Sequence, residues 1–167
     1  MRRLILIRHA KSSWDDPDID DHARTLNDRG RHDAPRIARW LAEKGHVPDE
    51  VLCSDAVRAR ETWDLISGGL PGDAAELHLL PELYHAGPRE MIAALHRARG
   101  RSVAMIGHNP TIGEVARRLA ATAPDHPKFG QYPTAATLVL DFRTDDWRGV
   151  LPDTGTLVDF VVPKDLD

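Results

Sequence analysis

The chain has a single cysteine, Cys53, no surplus of basic residues and no long apolar run. One thiol excludes an internal disulfide and suits a reducing compartment, so a cytoplasmic location is expected. Cys53 falls inside an apolar strand-like segment, where a thiol packs as a small inert hydrophobe. A net charge of −4 and a pI near 6.1 argue against a nucleic-acid-binding surface. No stretch approaches the 18 or more apolar residues of a membrane span. The apolar run after Arg2-Arg3 is too short for the core of a secretion signal, so none is expected. Aromatics are sparse, at 5% of residues. Trp14, Trp40, Trp63 and Trp147 are scattered, which implies core or rim packing and no stacking platform.

What is present fits one globular domain over residues 1–167. The 41% hydrophobic content is ordinary, and a chain of this length buries roughly 70% of its unfolded surface. Strand-like and helix-like segments alternate. Asn27 suits the N-cap of a helix running to Lys44, with Gly45 as its stop. Ala34, Ile37, Ala38 and Leu41 give that helix one apolar face, and Pro35 inside it should bend it or leave one carbonyl unpaired. A second helix opens near Asp55 and ends at Gly68-Gly69. Leu77–Leu80 suggests a strand, and Pro88–Arg99 and Thr111–Ala121 suggest two further helices. Ala135–Phe142 and Thr156–Val162 read as late strands. The alternation predicts a three-layer α/β/α sandwich around a mainly parallel sheet of about six strands.

The segments richest in chemistry stand at strand ends. Leu4–Ile7 is a continuous apolar run suited to a strand buried on both faces, and it delivers Arg8-His9. In open α/β sheets, ligands meet the chain beyond the carboxyl ends of such strands. A guanidinium offers paired hydrogen bonds to phosphate oxygens, and a neutral imidazole is a nucleophile. Arg101–Ile106 repeats the pattern and ends in Gly107-His108-Asn109-Pro110. Val51–Ser54 precedes a helix whose first turn holds Arg58. A cation there opposes the helix dipole, so local stability does not account for it. Arg8-His9, Arg58 and His108 together point to a site for a tetrahedral anion.

Two loops flank these motifs. Lys11–Ala23 carries five aspartates and His22, but lacks the glycine and terminal glutamate of a calcium-binding loop. It reads as a solvated loop near the site mouth. Ala123–Pro133, with three prolines and one glycine, reads as a semi-rigid lip of the pocket. His22, His32, His46, His78, His85, His96 and His126 are expected on the surface, with His85 able to approach the site.

Leu6-Ile7-Arg8-His9-Ala10-Lys11-Ser12 resembles the signature of the histidine phosphatase superfamily, the phosphoglycerate-mutase-like enzymes. The resemblance continues through Arg24-Thr25-Leu26-Asn27-Asp28-Arg29-Gly30, Ser54–Thr62 and Gly107–Pro110. The opening through Ser12-Ser13-Trp14 is most similar to SixA-type phosphohistidine phosphatases, which share Ala10 in place of the more common glycine. The resemblance implies His9 as nucleophile, with Arg8, Arg58 and His108 around the phosphoryl group and Arg24 as a further phosphate-side arginine. The roles of Lys11 and Ser12 stay open.

Electrostatics supplies the same mechanism. Cationic groups screen the phosphoryl charge, with His108 expected in its charged form. The neighbouring arginines should lower the pKa of His9 and keep it neutral. Phosphorylated His9 is then hydrolysed, and neither metal nor cofactor is required. Larger members of the superfamily use an acid to protonate an alcohol leaving group. Glu82 falls in the corresponding region, and is either that donor or a solvated strand-end residue. The expected substrates are a phosphohistidine-bearing protein or a small phosphoester, with inorganic phosphate as product. A mutase is disfavoured by the short chain. A catalytically silent phosphate-binding module is the remaining alternative.

Overall fold

The computed structural model describes residues 1–72 and 75–167. In chain order its elements are β1 (Arg2–Arg8), α1 (Asp28–Lys44), β2 (Glu50–Ser54), α2 (Val57–Ser67), β3 (Glu76–Leu80), α3 (Pro88–His96), β4 (Ser102–Gly107), α4 (Thr111–Leu119), β5 (Thr137–Phe142) and β6 (Thr156–Val161). The strands form one sheet in the order β3-β2-β4-β1-β5-β6. β3, β2, β4 and β1 are mutually parallel, while β5 runs antiparallel to both β1 and β6. The expected α/β sandwich and largely parallel sheet are what is found.

Strand alternation builds the layers, because successive side chains point to opposite faces of the sheet. Leu4, Leu6, Val103 and Met105 pack on one face with Met91 and Leu95 of α3 and Val115 and Leu119 of α4. Ile5, Ile7, Ala104 and Ile106 pack on the other with Ile37 and Leu41 of α1 and Trp63 and Ile66 of α2. Burial on both faces explains why the centres of β1 and β4, Leu4–Ile7 and Val103–Ile106, are uniformly apolar. No helix among the described residues is long and apolar enough to cross a membrane.

The first helix begins and ends where its capping residues say. Asn27 accepts from the Gly30 N–H at 2.9 Å, and Gly45 adopts the left-handed conformation with φ of 74°. α1 continues through Pro35, which lies on its exposed side, where water can reach the carbonyl that proline's missing N–H leaves free. Gly30 is required by a close approach: a Cβ there would run into the Lys11 carbonyl.

Other boundaries fall short of the sequence pattern because tertiary partners or local turns capture the backbone. α3 stops at His96, not Arg99, since the buried Glu50 carboxylate accepts from the N–H groups of Arg99 and Gly100, both at 2.8 Å. α4 stops at Leu119, not Ala121, because the Ala121 N–H donates to the Gly155 carbonyl at 2.8 Å. β5 starts at Thr137, after Ala135 with φ of 61°. β6 stops at Val161, as the Val162 N–H donates to Asp165 at 3.0 Å.

One histidine departs from the expected surface placement. His46 is buried beside Trp40, 3.2 Å from Arg3 Nη1 and 3.2 Å from Asp159 Oδ2. Arginine can only donate, so Nδ1 accepts and Nε2 carries the proton toward Asp159. Its sequence position after the helix stop gave no sign of these partners, which arrive from β1 and β6.

Candidate active site

Sheet order brings the chemistry together. β4 lies between β2 and β1, so Ser54, His108 and Arg8-His9 emerge side by side at three adjacent strand ends. The rings of His9 and His108 stand 5.0 Å apart. His9 is 6% exposed. Its Nδ1 is 2.7 Å from the Ala10 carbonyl, and a carbonyl can only accept, so Nδ1 carries the proton and Nε2 keeps the lone pair. The Ala10 N–H donates to Thr62 Oγ1 at 3.0 Å, and Thr62 donates in turn to the Arg58 carbonyl at 2.7 Å. The turn that carries His9 is thereby fastened to α2.

Burial lowers the His9 pKa to about 3, with His108, Arg58 and Arg8 adding smaller electrostatic contributions. The neutral form follows as expected, but desolvation is the larger cause and the arginines the smaller. His108 is also lowered, to about 4, chiefly by burial and then by Arg58. The expectation of a charged His108 is thus corrected: the free site holds it neutral at pH 7. His108 Nε2 lies 2.8 Å from Ser54 Oγ, which accepts from the Ala56 N–H at 3.2 Å. When Ser54 donates to Nε2, the ring proton sits on Nδ1 and His108 is a neutral donor.

Arg8 Nη1 donates to the Tyr132 carbonyl at 3.3 Å, so the 123–133 segment does border the site. Asn109, directly after His108, pins the same segment by donating to the carbonyls of Gln131 and Tyr132 at 2.9 and 3.0 Å. Arg58 is buried and donates through Nη1 to the Asp21 carbonyl at 2.8 Å and through Nη2 to Asp21 Oδ2 at 3.1 Å. The buried atoms Arg8 Nε, Arg58 Nε and His108 Nδ1 have no partner among the described residues. Unpaired buried polar groups are costly, and their concentration at one place suits an anionic ligand.

The remaining candidates are placed differently. Arg24 is buried, but its Nη1 donates to Ser12 Oγ at 2.7 Å and to the Ser13 carbonyl at 3.1 Å, and its Nε to Asp21 Oδ1 at 3.0 Å. Its guanidinium also lies 3.5 Å from the centroid of the exposed Trp14 ring. These contacts brace the 12–24 loop. Glu82 is not brought to the histidines. It stands in the 3-10 turn after β3, 3.8 Å from Arg97, and lines a separate groove with Glu50 and His78. Lys11 is exposed, and Ser12 is buried as a partner of Arg24.

Sequence reasoning missed three residues. Asp21 accepts from Arg58, Arg24 and the Tyr84 hydroxyl, and these donors hold its carboxyl far below the ordinary range. Tyr84 packs edge-on against His108 with centroids 5.7 Å apart, and its own pKa is raised. Ser54 Oγ is the hydrogen-bond partner of His108 Nε2. The Asp21–Arg24 spacing was the one available signal, hidden among five aspartates. The cleft beside His108, about 310 Å³, is also lined by Tyr84 and His85, so His85 does reach its border. No group of histidine, cysteine or carboxylate side chains among the described residues could hold a metal ion.

The sequence model of the histidine phosphatase superfamily (branch 1) matches residues 4–87. An uncharacterised protein of Mycobacterium tuberculosis H37Rv is 33% identical over 165 residues, covering 95% of this chain and 100% of the relative. An uncharacterised chloroplastic protein of Arabidopsis thaliana is 44% identical over 84 residues, but this chain spans only 38% of its length. The mitochondrial serine/threonine-protein phosphatase Pgam5 of Drosophila grimshawi is 39% identical over 87 residues, which are 52% of this chain and 29% of that protein. Among solved structures, SixA of Agrobacterium tumefaciens, provisionally assigned as a phosphohistidine phosphatase, superposes with a TM-score of 0.78 at 27% identity, covering 97% of this chain and 98% of that one. A SixA protein histidine phosphatase complexed with tungstate shares the fold with a TM-score of 0.77 at 24% identity, over 99% of each chain.

Proposed function

This chain belongs to the histidine phosphatase superfamily, branch 1, and we propose that within it the protein is a metal-independent phosphatase acting on phosphohistidine in proteins. Arg8, Arg58 and His108 receive the phosphoryl oxygens, and neutral His9 attacks phosphorus through Nε2. The bond from phosphorus to the substrate imidazole breaks as the new P–N bond forms. A substrate imidazole whose other nitrogen is protonated leaves as a neutral molecule. Water then attacks phosphorylated His9, releasing inorganic phosphate and restoring the imidazole. Stabilisation of charge by fixed donors is the main catalytic contribution in such transfers.

The observation that carries the choice of substrate is the state of the carboxyl groups. Asp21, the carboxylate bonded to Arg58, is held ionised by Tyr84, Arg24 and Arg58, and Glu82 lies against Arg97 in another groove. Neither is suited to donate a proton to an alkoxide. Imidazole leaves without that help, so the arrangement favours a P–N over a P–O ester bond. The match to SixA structures supports the same class, and the likeness to Pgam5 supports a protein substrate.

The test is kcat/KM on one peptide carrying phosphohistidine or phosphoserine at the same position. The phosphohistidine form should be hydrolysed at least ~10²-fold faster, the lower end of what general-acid assistance is worth. Glu82→Gln should leave both rates within about two-fold of wild type. Faster phosphoserine hydrolysis, collapsing in Glu82→Gln, would overturn this reading in favour of a phosphoester phosphatase.

A further inference from the structure

A second groove, of about 750 Å³, starts at the rim of the active site. One end is formed by Lys11, two residues beyond His9, and by Pro133-Thr134. The adjoining Ala135 N–H donates to the carbonyls of Arg8 and His9, at 3.0 and 3.1 Å. The groove then runs to Lys128 and Lys164, over an apolar surface to which Pro127, Val162 and Pro163 contribute.

Its charge is opposite to that of the chain as a whole, which is −4. Lys11, Lys128 and Lys164 are exposed and form no ion pair among the described residues. Both acids in the lining are already engaged. Asp33 is buried between Arg29 and Arg36, at 3.1 and 3.2 Å. Asp165 is paired with His126 at 2.9 Å and accepts from the Val162 N–H at 3.0 Å. Three lysines line a groove of this size beside apolar Pro127, Val162 and Pro163, which suits an extended chain with several negative charges better than a small anion. Complementary charge of this kind sets specificity and encounter rate.

We propose that this groove docks an acidic stretch of the phosphoprotein substrate, next to the phosphorylated residue. The proposal rests on the reading of the protein as a protein phosphatase, and adds where recognition beyond the phosphoryl group occurs. Lys128 and Lys164 lie outside the catalytic site, so Lys128→Glu/Lys164→Glu should leave turnover of a small aryl phosphate unchanged.

Two measurements on the wild type and this double variant test the docking. The first is binding of an unphosphorylated Glu/Asp-rich peptide, followed by fluorescence anisotropy. The second is kcat/KM for phosphohistidine peptides with acidic, neutral or basic flanks. The double variant should weaken acidic-peptide binding and lower kcat/KM for acidic flanks about ten-fold, through KM, while improving basic flanks. Wild-type binding of the acidic peptide should fall with added salt. Equal kcat/KM for all flanks in the wild type, or an unchanged acidic preference in the variant, overturns the docking site and leaves the phosphohistidine reading standing. Charge-dependent peptide binding without phosphohistidine hydrolysis overturns the reading of the substrate and leaves the groove standing.

Discussion

Asp21 grips Arg58 twice, its carbonyl accepting from Nη1 at 2.8 Å and its carboxylate from Nη2 at 3.1 Å. A 3-10 turn at Asp21–Ala23 thus fixes a guanidinium that belongs to the first turn of α2. Charge-assisted bonds of this type are short and directional, and catalysis by positioning is sensitive to small displacements.

Asp21→Asn keeps the shape of the side chain but removes the charge that Arg58, Arg24 and Tyr84 share. kcat/KM for an aryl phosphate should fall about 10- to 100-fold, with weaker inhibition by tungstate, because the Arg58 guanidinium proposed to bind phosphate is no longer fixed. Steady-state kinetics and tungstate titration on the folded variant check this. Wild-type values for both would remove Asp21 from the machinery.

His9 has its Nε2 lone pair available and its proton held on Nδ1 by the Ala10 carbonyl. Rapid quenching without acid during turnover should therefore trap phosphate on His9 as an acid-labile, base-stable adduct. His9→Ala should lose the adduct and at least ~10³-fold of the activity. An adduct on His108, with activity retained in His9→Ala, would reverse the roles of the two histidines.

Two neutral histidines shape the pH dependence. His9 and His108 titrate near 3 and 4 in the fold, against 6.5 for an ordinary histidine. Between about pH 6.5 and 4 the unfolded chain therefore binds more protons than the native protein. Stability is full above 6.5 and falls as the pH drops through that window. Urea titrations from pH 4.5 to 7.5 should show this slope, and it should be shallower in His9→Ala. Free-enzyme kcat/KM, corrected for ionisation of the substrate, should show no enzyme group titrating near 6.5. An acid limb at 6.5 that disappears in either histidine variant would contradict the buried, neutral pair.

Positive charge at the site comes from Arg8 and Arg58, and no side-chain cluster suited to a metal lies among the described residues. A chelator should leave turnover unchanged, while tungstate and vanadate should compete with substrate. Loss of activity with chelator, restored by one divalent ion, would show that a metal takes part.

The local sequence was sufficient for much of this protein. The unbroken apolar runs Leu4–Ile7 and Val103–Ile106 prescribe strands that serve two opposite core layers, and Asn27 and Gly45 prescribe the ends of α1, because these signals act between near neighbours. Arg8, His9, Arg58 and His108 could be singled out since strand ends and a cation at a helix start are visible in one dimension. Long-range contacts settled the rest. Asp21 became the partner of Arg58, Glu82 was turned toward Arg97, His46 was enclosed by Arg3 and Asp159, and α3 was cut short by Glu50. Each outcome depends on which distant group arrives to satisfy a buried charge or an open backbone donor. Local propensity carries no record of that partner, which the tertiary fold around the sheet β3-β2-β4-β1-β5-β6 brings within reach.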